Sequence, residues 1–177
     1  MGRPKATLEL PSGELLLDRV HRALLGADVP VTLIGEGKVT PGTADLERIG
    51  DVDGPPGPLG GLLAALDHDP TSAWLIAACD LPRLEVEAVR WLIDQRESSQ
   101  IAVLPRLHPS RVEPLLAIYE PGARGALWEL AQAGSPAPKR LAELTNVKVV
   151  QPPQEFLSSW TNINTPEELA SLNARCQ

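Results

Sequence analysis

The sequence predicts an α/β three-layer sandwich with a mostly parallel sheet. Three observations carry this. Short apolar runs alternate along the chain with stretches whose apolar residues recur at helical spacing, the pace of strands alternating with helices. One run, Trp74 to Cys79, is apolar throughout and stops at Asp80-Leu81-Pro82, as a strand buried on both faces does. The chain has 177 residues, 43% hydrophobic and 22% charged, which suits one sizeable core. Residues 1–177 are therefore read as a single domain.

The elements follow in order. Pro11-Ser12-Gly13 is a turn. Leu15, Leu16, Val20, Leu24 and Leu25 recur at helical spacing with Asp18, Arg19 and Arg22 between them, a helix with one buried face that Gly26 is suited to end. Val31 to Ile34 is a short buried strand closed by Gly35-Glu36-Gly37. Leu46 to Ile49 is a second short strand. The run from Asp51 to Gly61 is rich in proline and glycine and leads into a helix, Leu62 to Leu66. After Asp80 come a helix (Val86 to Arg96), a strand (Ile101 to Leu104), a polar turn (Arg106 to Arg111), a strand (Leu115 to Tyr119) and a helix (Ala123 to Ala133). Lys139 to Leu144 reads as helical and Val147 to Val150 as a strand. Thr165 is a good N-cap and Pro166 a good first residue for a last helix, Glu167 to Arg175.

Composition excludes several classes. A net charge of −7 with no basic stripe argues against nucleic acid as a partner. No run of about 18 apolar residues is present, so no membrane partner is expected, and no signal segment opens the chain. Cys79 and Cys176 form no framework, and Cys79 sits in a strand pattern as a small buried hydrophobe. A cytoplasmic protein is the expectation. An acidic chain acting on phosphates needs local cations: a metal, a few Lys or Arg, or helix N-termini.

Two stretches carry candidate chemistry. Asp80 lies where a buried strand leaves the sheet, the edge at which α/β sheets bind ligands. A carboxylate there is an oxygen donor suited to Mg²⁺ that also touches substrate phosphates. The competing reading makes Asp80 a cap for the helix beginning near Glu85. In the loop ahead of Leu62, Gly60 and Gly61 either bring backbone N–H groups to a ligand anion or simply connect two elements. His21, His68 and His108 are scattered, and no Ser/His/Asp or Cys/His set occurs.

Met-Gly-Arg-Pro-Lys5, Gly-Pro-Leu-Gly-Gly61, Cys-Asp-Leu-Pro82, Arg-Val-Glu-Pro-Leu115 and Asn-Ile-Asn-Thr-Pro-Glu-Glu-Leu169 stand in an order that resembles the molybdenum cofactor guanylyltransferases. The resemblance implies the Rossmann-like, GT-A-like nucleotidyltransferase fold. It also implies transfer of GMP from GTP to molybdopterin with release of pyrophosphate. By the same resemblance Asp80 holds Mg²⁺ and Lys5 faces the triphosphate. Asp51, with Gly60 and Gly61, serves the nucleotide. Arg111, Glu113, Asn162 and Asn164 belong to the molybdopterin side, the two asparagines near the second substrate or the metal. GTP and molybdopterin are then the small-molecule partners, and proteins of the molybdenum-cofactor pathway the macromolecular ones.

The family opens with an apolar strand and a Leu-x-Gly-Gly-x-Ser-x-Arg loop ahead of its Met-Gly-x-x-Lys, and this sequence starts at that Met. Either the strand and loop lie upstream on a longer polypeptide, the favoured expectation, or the chain is a degraded copy. The alternative activities are a cytidylyltransferase for the same cofactor, a sugar- or lactate-phosphate nucleotidyltransferase, and a non-catalytic binding relative. Nucleotide choice is expected in that loop and around Gly35.

Overall fold

The computed structural model describes residues 4–53, 55, 57–134, 137–164, 168 and 169. Pro11 to Gly13 form a turn, and helix α1 (Leu16–Gly26) follows. It buries Leu16, Val20, Ala23 and Leu24 along one stripe. Leu25, which the spacing grouped with them, is 59% exposed. Strands β1 (Leu33–Ile34) and β2 (Arg48–Ile49) are shorter than their apolar runs and pair in parallel. Helix α2 (Pro58–His68) begins four residues before the expected Leu62. Pro58 sits at its first turn, where a missing N–H costs nothing, and Gly57 ahead of it adopts φ 69°, which glycine takes without steric cost.

Strand β3 (Trp74–Ala77) leads through Cys79 and Asp80 to helix α3 (Val86–Asp94). Strand β4 (Ala102–His108) runs longer than foreseen. The expected polar turn Arg106 to Arg111 is instead the tip of a hairpin between β4 and β5 (Arg111–Val112). Strand β6 (Leu116–Tyr119), helix α4 (Ala123–Gln132), a 3₁₀ segment (Pro138–Glu143) and strand β7 (Val147–Val150) complete the predicted order. A second 3₁₀ segment, Gln154–Trp160, had no counterpart in the reading. Glu168 and Leu169 are helical; the rest of the predicted last helix, with Thr165, Pro166 and Cys176, lies outside the described residues.

The sheet is mixed, which corrects the expectation of a mostly parallel one. β3–β6, β4–β6 and β4–β5 are antiparallel, and within this sheet β4–β7 alone is parallel. The reason lies in the connection. Parallel neighbours need a crossover of a dozen or more residues, usually helical. Between β4 and β6 the chain has only the short β5 hairpin, so β6 must return antiparallel.

The three layers are present. Side chains alternate along each strand: Leu75, Ala77, Val103, Leu116 and Ile118 join α1, α3 and Trp160 in one core. Trp74, Ile76, Ala102, Leu104, Ala117 and Tyr119 join α2 and α4 in the other. Each fully buried Leu or Ile contributes on the order of 1.5–3 kcal/mol. Among the described residues β3 pairs with β6 alone, and β1 with β2 alone. The two free edges border a cleft of about 620 Å³. Its shaft is apolar, walled by Val31 to Ile34 and Trp74 to Ala78, and its mouth carries Gly35, Asp51, Gly61 and Asp80. All four residues of β3 are consequently only half-buried.

Candidate active site

The site is assembled where β3 ends. Ala78 still donates to Leu115 O (3.2 Å), and the chain then turns through Cys79 and Asp80. Asp80 is 8% exposed. Its carboxylate does not cap α3, because Glu85 holds the cap position without a side-chain bond. Oδ2 accepts from Lys5 Nζ at 2.7 Å, while Oδ1 is buried without a partner among the described residues. Lys5 also donates to Asn164 Oδ1 at 2.8 Å. Three residues that are far apart in sequence thus meet, held by a further clasp: Ile163 N donates to Asp80 O at 3.1 Å. Ile163 is buried beside Leu10 and Leu16, which anchors the segment carrying both asparagines. Asn162 Oδ1, like Asp80 Oδ1, is a buried acceptor with no partner among the described residues.

An orphaned buried oxygen costs about 1–3 kcal/mol, so these two point to something that supplies positive charge or donors. A divalent oxygen-seeking cation fits. Asp80 Oδ1 is a hard anionic oxygen and Asn162 Oδ1 a hard neutral one. Mg²⁺ needs only one or two protein oxygens, with water and substrate phosphates filling the rest. No group of three or more His, Cys, Asp or Glu side chains suited to a metal occurs among the described residues. Burial, then the neighbouring Asp80 charge, push the Cys79 thiol above its ordinary range.

The other half of the mouth is the start of α2. Gly60 and Gly61, expected in a loop, are in the first turn of this helix, whose N-terminal amides and dipole favour an anion. A Cβ on Gly61 would press at 3.2 Å on Asp51 Oδ1 and at 3.1 Å on Ile34 Cγ2. At Gly60 it would meet Pro55 O at 3.1 Å. Asp51 stands between Gly61 and Gly35, whose φ is +88°. Asp51 and Asp80 therefore border one cleft. Arg111 and Glu113 do not line it. They pair with each other at 2.5 Å in and beside β5, with Leu115, two residues on, reaching the cleft wall.

The sequence reading missed Ser159. Its hydroxyl is fully buried, donating to Arg83 O at 3.2 Å and accepting from Glu85 N at 3.3 Å, which ties the 3₁₀ segment to the loop after Asp80. Nothing in a Pro-rich stretch ending Ser-Ser-Trp announces such a role.

Residues 1–149 match the MobA-like NTP transferase domain. The chain belongs to this family. Among members of known name, a probable molybdenum cofactor guanylyltransferase of Pelotomaculum thermopropionicum is 29% identical over 174 residues, covering 96% of this chain and 83% of its own length. A protein of the same description from Thermococcus gammatolerans is 33% identical over 121 residues, 66% of this chain and 62% of that one. Two solved structures share the fold. The molybdopterin-guanine dinucleotide biosynthesis protein A of Archaeoglobus fulgidus has a TM-score of 0.77 at 24% identity, over 99% of this chain and 91% of that one. The 2-C-methyl-D-erythritol 4-phosphate cytidylyltransferase of Thermus thermophilus has a TM-score of 0.69 at 18% identity, over 97% and 93%. This MobA-like chain thus places its Lys5, Asp80 and Asn164 together at a strand end in a nucleotidyltransferase fold. No helix among its described residues is long and apolar enough to cross a membrane.

Proposed function

We propose that this chain is a molybdenum cofactor guanylyltransferase, joining GMP from GTP to the terminal phosphate of molybdopterin and releasing pyrophosphate. The observation that carries this reading is the Lys5–Asp80–Asn164 cluster with its orphaned carboxylate oxygen, in a chain whose relatives bear that name.

The reaction forms a bond from an oxygen of the molybdopterin phosphate to the α-phosphorus of GTP. The α–β bridging P–O bond breaks, and pyrophosphate leaves with its electron pair. No covalent enzyme intermediate is needed, because a phosphate oxygen is already nucleophilic. What limits the reaction is repulsion between two anions and charge growing on the leaving group. Asp80, with Asn162 beside it, would hold Mg²⁺, which supplies charge neutralisation when bound. Lys5 is an ammonium tethered to Asp80 and Asn164. An entering triphosphate competes for it, and it then stabilises developing negative charge. The α2 N-terminus with Gly60 and Gly61 receives phosphate oxygens. Asp51 faces the nucleoside part, an acceptor suited to ribose hydroxyls or base N–H groups. Arg111 and Glu113 serve the molybdopterin side, with Asn164 between the two substrates.

The test is pyrophosphate release by the full-length protein with Mg²⁺. Release that needs both GTP and molybdopterin, with CTP unable to replace GTP, supports the reading. Equal or better release from CTP moves the chain to the cytidylyltransferases. Binding of molybdopterin without any release makes it a non-catalytic relative.

A further inference from the structure

Arg48 is not part of the cluster at Asp80, forms no ion pair among the described residues, and stands exposed on β2. Its guanidinium is nevertheless fully directed. Nε donates to Gly35 O at 2.8 Å and Nη2 to Gly37 O at 2.7 Å. The turn it clasps, Gly35-Glu36-Gly37, joins the cleft mouth at Gly35 and leans on Asp51. Gly35 N donates to Ile49 O at 2.9 Å, so β2 holds this turn from both its backbone and its side chain. Two glycines in three residues make a loose segment. A rigid cationic fork spanning both ends is a direct way to stiffen it.

The clasp also has an electronic consequence. In a trans peptide the C=O and N–H point in opposite directions. With the carbonyls of Gly35 and Gly37 turned to Arg48, the N–H groups of Glu36 and Lys38 face away from it. Neither N–H has a protein partner among the described residues. Donation from a cation to a peptide oxygen polarises that peptide and strengthens its N–H as a donor. The turn therefore presents two fixed, strengthened donors just beyond Gly35, the residue through which it lines the cleft.

We propose that Arg48 is a positioning residue for nucleotide selection: it sets the 35–38 turn so that its free amides meet an acceptor on the base. The acceptor that fits is the 6-oxo group of a purine such as guanine or hypoxanthine. The 6-amino group of adenine would bring donor against donor. This inference rests on the reading of the cleft as a nucleotide site.

The experiment uses the full-length protein and the dissociation constants of GTP, ITP and ATP by calorimetry, with KM and kcat where turnover is seen. Arg48→Ala is expected to weaken GTP and ITP by about tenfold, the scale of one lost oriented hydrogen bond, to leave ATP nearly unchanged, and to raise KM for GTP with little change in kcat. Arg48→Lys, which can reach one carbonyl, should recover part of the loss. Arg124→Ala, which breaks an ion pair with Asp67 away from the cleft, controls for loss of any surface cation. Equal weakening of all three nucleotides overturns the proposal, as does a drop in kcat that follows a lowered melting temperature. If the unaltered protein binds no nucleotide at all, the underlying reading of the cleft fails first, and this inference falls with it.

Discussion

Asp80 is the residue on which the proposed chemistry turns. One of its oxygens is satisfied by Lys5 and the other by nothing among the described residues. Asp80→Asn keeps the shape and removes the charge. Turnover should fall by roughly 10²-fold or more, the scale of losing one preorganised electrostatic contact. Mn²⁺ binding, read by electron paramagnetic resonance, should weaken alongside while the melting temperature holds. Unchanged pyrophosphate release at saturating Mg²⁺ would remove Asp80 from the metal site. Gly61 tests the facing wall. A methyl group there presses on both Ile34 and the Asp51 carboxylate, so Gly61→Ala is expected to weaken GTP severalfold. A variant that binds GTP as tightly as the parent would show that Asp51 has room to give. Of these residues, Asp80 was legible because the end of an apolar run marks the end of a strand. Its link to Lys5 and Asn164 was not, since it spans most of the chain and depends on packing no local pattern encodes.

Two connecting elements frame the candidate site. Ser159 satisfies one donor and one acceptor in the loop between Asp80 and α3. Ser159→Ala strands both in a buried place, at a cost of about 1–3 kcal/mol. Urea unfolding should show this, and Ser159→Gly should be no milder. Ahead of β3, Asp69 accepts from Thr71 N, Thr71 Oγ1 and Ser72 N in a tight turn. The Ser72 hydroxyl first, then the Thr71 hydroxyl and the two backbone amides, hold its carboxyl at about 2 rather than 3.8. A lowered folded-state value stabilises the fold fully above the unfolded value and loses that contribution as pH falls towards about 2. The urea midpoint should therefore drop between those limits, and Asp69→Asn should flatten that part of the curve. At this scale the sequence was most readable: β7 ran as its apolar run did, and α3 and α4 began where expected. It failed where direction mattered. The period of two reports which face a residue takes but not which way a strand runs. The short, helix-free link from β4 to β6 held that information and was read as a turn.

For the molecule as a whole, the three layers followed from strands alternating with helices, and the two cores sit where the in-and-out alternation puts them. The cleft followed from neither, because it lies between strands distant in sequence. Its wall is the outer edge of β3, four half-buried apolar residues whose outward backbone groups pair with nothing among the described residues. Such an edge is a template on which any extended chain can add itself. Self-association through that strip is the expected consequence. Concentrated solutions should scatter more light per molecule than dilute ones, with a rise in sheet signal by infrared absorption, and ligands seated in the cleft should slow the change. Scattering that stays proportional to concentration would show the strip to be shielded in solution. A protein whose proposed phosphate site lies at one end of a groove would otherwise owe its shelf life to the other end.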